Sequence, residues 1–168
     1  MIELKPISIL DKEMMECVNL SVTEEQYNFV APNSISLAQA YDLNKKFTER
    51  GDGSRADPHA VYKDGKMVGF VMIGYAHPDK DDEPYCDEPC YEIWRIFVDI
   101  EHQGKGYGKE ILRLAMEKVK TKYFGDANWC FATYDPDNAT SKRMFATYGF
   151  EEEVGRFIDG EAVCKIGI

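Results

Sequence analysis

A glycine-rich run, Gln103-Gly104-Lys105-Gly106-Tyr107-Gly108, constrains this chain more than any other segment. An apolar segment, residues 93–98, precedes it and an amphipathic segment, residues 110–119, follows it, which predicts a strand, a tight turn and a helix. Three glycines within five residues leave the turn little side-chain bulk, so its backbone amides can approach a ligand closely. A helix that begins there adds amides without intrahelical partners and the positive end of its dipole. The run therefore predicts a site for a phosphate-bearing ligand.

Two common phosphate loops do not fit this run. A P-loop requires Ser or Thr after its Gly-Lys pair, and neither follows here. The dinucleotide fingerprint Gly-x-Gly-x-x-Gly has a different glycine spacing. Gln103, Gly106 and Gly108 instead match Gln/Arg-x-x-Gly-x-Gly/Ala after a strand that ends in an apolar pair and an Asp. This pattern resembles the acetyl-CoA loop of the GNAT superfamily of N-acetyltransferases, although glycine content alone also allows an ordinary strand-to-helix turn.

Length and charge narrow the class of protein. A chain of 168 residues predicts one domain over residues 1–168. The net charge of −10 argues against a nucleic-acid partner and is compatible with a cationic small-molecule substrate, or with a role in solubility only. The sequence has neither an apolar stretch of about 20 residues nor a recognisable secretory signal. We therefore expect a cytoplasmic protein with no membrane partner.

The cysteines predict neither disulfides nor a metal site. Five cysteines are an odd number, and in a chain without a secretory signal they favour reduced thiols. Cys86 and Cys90 lie close together, but no His completes a zinc-ligand spacing near them. We therefore expect no metal.

The order of predicted elements is strand, two helices, three strands, helix, strand, helix and two strands. Asp64-Gly65 predicts a hairpin turn, Ser36 is a candidate cap of the second helix, Asp137 or Asn138 caps the last helix, and Gly149 ends it. This order predicts a mixed α/β (α+β) fold with helices on both faces of the sheet. The GNAT resemblance implies a central, mostly antiparallel sheet of six to seven strands that splays open at the acetyl-CoA site. Either edge strand can pair with a second copy, which leaves a homodimer open.

The resemblance implies acetyl-CoA as co-substrate and assigns its contacts position by position. Backbone groups of Phe97 and Val98 are expected to hold the pantetheine arm, and the backbone amides of residues 103–109 to hold the pyrophosphate. Asn138 matches a cofactor-contacting Asn of the family, and this role is compatible with a helix cap. The expected cofactor-binding residues are Phe97, Val98, Gln103, Gly104, Lys105, Gly106, Tyr107, Gly108, Lys109 and Asn138.

The resemblance also implies a general base. Acetylation of an amine requires that an ammonium lose its proton and that a thioester carbonyl be polarised. Glu92 lies eleven positions before Gln103, where several GNAT enzymes place a glutamate base. Burial on a strand can raise the pKa of such a carboxyl and prepare it to accept a proton. Asp87 and Glu88 are the alternatives.

The general acid departs from the family pattern. Many GNAT enzymes carry a Tyr seven residues after the Asn, and here that position is Phe145, which cannot donate a proton. Tyr148 is the candidate replacement, Tyr134 is another, and a thiolate can also leave without a dedicated acid. The departure leaves open a second class of protein, a non-catalytic acyl-CoA-binding module.

Two segments, residues 21–30 and 95–99, resemble bacterial spermine/spermidine (diamine) acetyltransferases. A polyamine site needs carboxylates for its ammonium groups and aromatic rings for its methylene chain. The expected substrate-binding residues are Glu25, Tyr27, Tyr85 and Trp94, and the acidic loop 79–88 can add charge. We therefore predict an acetyl-CoA-dependent N-acetyltransferase that acts on a primary amine of a polyamine or diamine by direct attack in a ternary complex. The alternative acceptors are an aminoglycoside and the α-amine of an amino acid.

Overall fold

The computed structural model describes residues 1–51, 53–78 and 87–168. In chain order the elements are β1 (Ile2–Pro6), α1 (Met14–Asn19), a first 3₁₀ turn (Glu25–Asn28), α2 (Asn33–Arg50), β2 (Arg55–Lys63), β3 (Lys66–Ala76), β4 (Cys90–Val98), a second 3₁₀ turn (Ile100–His102), α3 (Tyr107–Val119), β5 (Trp129–Tyr134), α4 (Ala139–Tyr148), β6 (Glu151–Ile158) and β7 (Glu161–Gly167).

The strands form one seven-stranded sheet in the order β1-β2-β3-β4-β5-β7-β6. Across the described strands, β4 and β5 run parallel and the other neighbours run antiparallel. The pairing of β4 with β5 is limited to Tyr91 with Cys130 and Glu92 with Phe131. After Glu92 the two strands diverge, so residues 93–98 of β4 have β3 on one side and a gap on the other. The predicted splayed, mostly antiparallel sheet is confirmed.

Helices cover both faces of this sheet, as predicted. On one face α3 packs against Val71 and Ile73 of β3, and on the other α1 and α2 pack against Phe70 and Met72. Successive side chains of a strand point to opposite faces, so covering both faces explains the nearly continuous apolar run of β3. The helix residues buried in these contacts are Ile111, Leu112, Ala115, Met116 and Val119 of α3, Cys17 of α1, and Leu37 and Ala40 of α2. In the described ranges no helix combines the length and the apolar character that a membrane crossing requires.

The predicted helix ends are confirmed for α4 and wrong for α2. Asn138 caps α4, because its Oδ1 accepts a hydrogen bond from the Ser141 amide at 3.0 Å. Gly149 ends α4 with a φ of 116°, a left-handed conformation that favours glycine. Ser36, by contrast, lies inside α2, which begins directly after Pro32. Pro32 is the N-cap, and its carbonyl accepts hydrogen bonds from the Ile35 and Ser36 amides at 3.0 and 3.2 Å, so the helix begins earlier than the serine suggested.

The described cysteines are three free thiols and Cys90, which is disulfide-bonded. Cys17, Cys130 and Cys164 are buried free thiols, and burial raises the pKa of Cys17 and Cys164 to about 12. Cys90 is in a disulfide, so the expectation of reduced thiols is wrong for this residue. Cys86 lies outside the described residues.

Candidate active site

A cavity of about 710 Å³ occupies the gap where β4 leaves β5. This volume is within the usual range of small-molecule sites. The segment before α2, the open half of β4, the glycine run and the start of α4 line it, together with the neighbouring ends of β5 and β7. The lining residues are Val22, Thr23, Glu25, Gln26, Phe29, Val30, residues 93–98, Gln103, Gly104, residues 106–109, Thr133, Tyr134, residues 137–141, residues 143–145 and Glu161.

The glycine run and the start of α3 place residues with unpaired helix-start amides at the cavity. Gly104 and Gly106 have φ values of 73° and 78°, in the left-handed region that L side chains rarely adopt. Gly106 is the N-cap of α3, so the amides of Tyr107, Gly108 and Lys109 have no carbonyl four residues earlier within the helix. These residues line the cavity. The start of α3 therefore offers a group of amide donors and a positive dipole end to an anion.

The two strand residues predicted to hold the pantetheine arm face different edges of β4. A Cβ atom at Gly69 of β3 would lie 2.4 Å from the carbonyl oxygen of Phe97, so that carbonyl points toward β3. The next carbonyl, that of Val98, accepts a hydrogen bond from Gln103 Nε2 at 3.0 Å on the side of the gap. Backbone groups of successive strand residues point to opposite edges. The expectation that backbone groups of Phe97 hold the pantetheine arm is therefore wrong for its carbonyl, which faces β3. The Val98 carbonyl faces the gap.

Lys105 does not belong to the described cavity lining. Its Nζ donates a hydrogen bond to the carbonyl of Glu101 at 2.9 Å, and the residue is exposed. The Lys105 side chain therefore bonds back to its own turn, and the predicted contact of its backbone amide with the cofactor stays a prediction. Asn138 caps α4 and also lines the cavity, so both predicted roles are geometrically compatible.

The side chain of Gln103 joins the glycine run to the segment before α2. Gln103 Nε2 donates to Gln26 Oε1 at 2.9 Å, and Gln26 Nε2 donates to Gln103 Oε1 at 3.1 Å. Gln26 is a residue that the sequence reasoning did not single out. Its position in Thr23-x-x-Gln26, a capping-box spacing, is the signal that marks it as ordered.

Glu92 is buried, with 6% of its surface exposed, at the point where β4 separates from β5. A Cβ atom at Gly74 of β3 would lie 3.4 Å from the Glu92 Oε2 atom, so the carboxylate overlies this glycine. Ile93 and Trp94 line the described cavity and Glu92 does not. Glu92 therefore adjoins the cavity through its chain neighbour Ile93, and its carboxylate is not among the described lining groups.

Tyr107 and Tyr134 line the described cavity, and Tyr148 does not. The Tyr148 ring packs 6.1 Å from the Phe150 ring and lies outside the described lining, so a direct role for it is not supported. Tyr134 lines the cavity and stacks on Phe145 with 6.2 Å between ring centroids. Its hydroxyl donates to Glu152. Burial and this carboxylate raise the pKa of Tyr134, which keeps the hydroxyl protonated.

The predicted acceptor residues are only partly brought together. Glu25 and Trp94 line the cavity. Tyr27 is not among the described lining residues, and 43% of its surface is exposed to solvent. Tyr85 and acidic residues 79–83 lie outside the described residues.

Glu161 and Thr133 are cavity residues that the sequence reasoning missed. The Thr133 hydroxyl donates to the Glu161 carboxylate, and both side chains line the cavity. They lie on the same sheet face as Phe131, the residue paired with Glu92, because Thr133 is two residues farther along β5. Glu161 opens β7 directly after a turn, but the sequence offered no signal that β7 lies beside β5.

Arg95 and Phe29 also line the cavity. The Arg95 Nη1 atom donates to the Trp94 carbonyl at 2.7 Å, and the guanidinium lies 5.6 Å from the centroid of the Trp94 ring. The register of β4 against β3 shifts between Met72 and Ile73, and Trp94 is the additional residue of this bulge. The cavity therefore combines acidic side chains, basic side chains and aromatic rings. The acidic residues are Glu25, Asp137 and Glu161, and the basic ones are Arg95, Lys109 and Arg143.

Comparisons with known proteins agree with this fold. The chain is 23% identical over 158 residues to the spermine/spermidine N(1)-acetyltransferase of Bacillus subtilis (strain 168), which covers 93% of each chain. It is 26% identical over 102 residues to the L-2,4-diaminobutyric acid acetyltransferase of Wolinella succinogenes, which covers 58% of this chain and 52% of that protein. The solved aminoglycoside acetyltransferase AAC(6')-Ib in complex with coenzyme A has the same fold, with a TM-score of 0.71, 17% identity and coverage of 99% and 95%. The model of the acetyltransferase (GNAT) family matches residues 21–150, and the chain belongs to this family.

Proposed function

We propose that this protein is an acetyl-CoA-dependent N-acetyltransferase whose acceptor is a primary amine of a small cation, with polyamines and diamines as the favoured class. The main observation that supports this proposal is that the start of α3, with its amide donors, and the residues Glu25 and Glu161 line the same cavity. The amides suit a diphosphate, and the carboxylates suit an ammonium. A donor and an acceptor of opposite charge can therefore be held in one cavity at the same time.

Acetyl-CoA occupies the gap side of β4 in this proposal. Its diphosphate binds the amides of residues 106–109 and the turn at Gly104, and its pantetheine arm runs along the edge of β4 at Val98. Asn138 and the start of α4 form the opposite wall. The divergence of β4 from β5 supports this arrangement, because it leaves residues 93–98 without a strand partner on that side.

The acceptor occupies the part of the cavity between Glu25 and Glu161. Each carboxylate attracts one ammonium group, and Trp94 and Phe29 offer aromatic surface to the methylene chain and to the cations. Two carboxylates on different elements suit a substrate with two separated positive charges. We therefore favour spermidine-like acceptors and short diamines over acceptors with a single charge.

The acetyl transfer proceeds by direct attack in a ternary complex. Glu92 takes a proton from the acceptor ammonium through a water molecule, and the freed nitrogen lone pair attacks the thioester carbonyl carbon. The nitrogen of the tetrahedral intermediate is positively charged and loses a second proton to solvent. The intermediate then collapses, the C–S bond breaks, and the neutral amide product forms. The departing thiolate receives a proton from the Tyr134 hydroxyl, which recovers one from solvent. We propose Tyr134 over Tyr148 for this role because Tyr134 reaches the cavity.

A zwitterionic amine is the second candidate acceptor, and Arg95 is the observation that favours it. A guanidinium in the cavity can bind the carboxylate of an amino acid while Glu161 or Glu25 binds an ammonium. A diamino acid would use both kinds of group.

A thiol-release assay with acetyl-CoA tests the proposed function. The acceptor panel contains spermine, spermidine, putrescine, 2,4-diaminobutyrate, a neutral amino acid and kanamycin. We expect turnover with the polyamines and diamines. Turnover confined to diaminobutyrate would favour the zwitterion, and turnover confined to kanamycin would refute both. Binding of acetyl-CoA without thiol release for any amine would identify a non-catalytic acyl-CoA-binding module.

We further propose that residues 1–168 form one domain that acts in the cytoplasm. The buried free thiols Cys17, Cys130 and Cys164 suit a reducing compartment, whereas the disulfide at Cys90 argues the other way. The edge strand β6, with Phe157 57% exposed, offers a surface for a homodimer. Thiol titration of protein purified from cytoplasm and sedimentation analysis test these two points.

A further inference from the structure

We propose that the paired amides of Gln26 and Gln103 couple the wall of the acceptor cavity to the acetyl-CoA cradle, so that coenzyme A orders the residues that receive the amine. The acceptor wall is defined here as residues 21–30, the segment between α1 and α2. This inference rests on the proposed function and adds a positioning role for Gln26, which contacts neither reacting group.

The two glutamine side chains form a closed pair of hydrogen bonds across 77 positions of sequence. Each amide donates to the other, at 3.1 Å from Gln26 Nε2 and 2.9 Å from Gln103 Nε2. Gln103 Nε2 also donates to the Val98 carbonyl at 3.0 Å. Gln103 therefore binds the acceptor wall, the last residue of β4 and, through its own backbone, the start of the glycine turn.

The Gln26 amide is itself fixed by its own turn. Its Oε1 also accepts a hydrogen bond from the backbone amide of Thr23 at 3.1 Å. In return, the backbone amide of Gln26 donates a hydrogen bond to the Thr23 hydroxyl at 3.3 Å. This reciprocal capping box sets the geometry of the first 3₁₀ turn. Glu25 and Phe29 adjoin Gln26 on this turn and line the cavity. A displacement of Gln26 therefore displaces the groups proposed to bind the amine.

The acceptor wall has a second attachment at its other end. The Ser21 amide donates to Asp99 Oδ1 at 3.0 Å, and the Ser21 carbonyl accepts from the Ile100 amide at 2.7 Å. Asp99 is buried and also accepts from the Glu101 amide at 3.1 Å through Oδ2. The acceptor wall is thus hydrogen-bonded to the segment that connects β4 to the glycine run. The Gln26–Gln103 pair is the attachment nearer to Glu25.

Coupling follows from this arrangement. A diphosphate bound to the amides at the start of α3 restricts the glycine turn and with it Gln103. The paired amides pass this restriction to Gln26, so the ordering of the acceptor wall no longer has to occur when the amine binds. By linkage, the amine strengthens coenzyme A binding by the same factor.

Hydrogen exchange tests this inference without an acceptor. Coenzyme A is added to the wild type and to Gln26→Met, Gln103→Met and Gln26→Asn, the last of which keeps an amide but shortens its reach. Gln39→Met, on the exposed side of α2, is the matched control. In the wild type and the control we expect coenzyme A to slow amide hydrogen exchange in residues 21–30 by about tenfold. This factor corresponds to the net free energy of about one to two hydrogen bonds. In the three variants we expect protection of the glycine run only.

The outcomes separate this inference from the proposed function. Protection of the glycine run without protection of residues 21–30 in the wild type overturns the coupling and leaves the cofactor site intact. Equal protection of residues 21–30 in the wild type and in the Gln26 variants also overturns it. Absence of protection in both segments refutes the cofactor site and the coupling together. A matching readout is the Kd of spermidine, which coenzyme A should lower about fivefold in the wild type and leave unchanged in Gln26→Asn.

Discussion

Gly106→Ala tests whether the start of α3 holds the diphosphate of coenzyme A. Gly106 has a φ of 78° and a ψ of 6°, and an added Cβ atom would meet no atom within 4 Å. The substitution therefore creates no clash, and its effect on folding is the cost of a left-handed L residue, about 1–2 kcal/mol. The methyl group would stand in the cavity where the diphosphate is proposed to bind. Loss of one hydrogen bond to a charged group costs about 1.5–3 kcal/mol, so the Kd of coenzyme A should rise about tenfold to about a hundredfold.

Gly155→Ala separates the two effects. Gly155 has a φ of 83°, an added Cβ atom would also meet nothing within 4 Å, and the residue lies in β6, outside the described cavity lining. We expect both variants to lose the same 1–2 kcal/mol of unfolding free energy, or roughly 2–8 °C in Tm. Calorimetric titration with coenzyme A should then distinguish them, with wild-type affinity for Gly155→Ala. If folded Gly106→Ala binds coenzyme A as tightly as Gly155→Ala does, the diphosphate does not lie at the start of α3.

Three further variants test the fold and the acceptor cavity. Gly69→Ala should lower the unfolding free energy by about 2–3 kcal/mol in urea titrations, because its Cβ atom would lie 2.4 Å from the Phe97 carbonyl oxygen; an unchanged midpoint would contradict this contact. Burial lowers the pKa of His59 from its ordinary value of 6.5. As the pH falls, the unfolded chain therefore binds a proton at His59 before the folded chain does, and the free energy of unfolding decreases below about pH 6.5. In His59→Gln, the loss of stability between about pH 7.5 and about pH 5.5 should be smaller than in the wild type, and an equal loss would exclude His59 as its source. Glu161→Gln should raise KM for spermidine about tenfold and leave KM for acetyl-CoA unchanged, whereas Glu151→Gln, exposed on β6, should change neither; equal effects would remove Glu161 from the acceptor site.

The sequence was most informative where function depends on neighbouring residues. The left-handed φ values at Gly104 and Gly106 and the cap at Asn138 follow from local chemistry, and both are observed. The prediction for Ser36 failed because Pro32 starts the helix earlier. Side chains were less predictable than backbone, since nothing near Lys105 in the sequence indicates that it bonds back to its own turn.

The missing tyrosine of the family pattern also shows that side-chain positions were less predictable than the backbone. The spacing identified Phe145 as the departure, and Tyr148, about one helical turn farther on, was the candidate replacement. Tyr148 lies one turn away, where it packs against Phe150, whereas Tyr134 reaches the cavity from a different element. Distance along a helix therefore did not identify the tyrosines that line the cavity, because these lie on β5 and at the start of α3.

By itself the amino-acid sequence determined the geometry of the proposed cofactor cradle, because a strand end, a glycine turn and a helix start are contiguous and depend on local backbone preferences. Only the tertiary structure decided the composition of the cavity proposed for the acceptor. The sheet places β7 beside β5, which brings Glu161 to Thr133 across 28 positions of sequence. The packing of both sheet faces sets this order, and the divergence of β4 from β5 then opens the space between Glu161 and Glu25. Such distant juxtapositions depend on burial across the whole sheet, which no local pattern in the chain encodes.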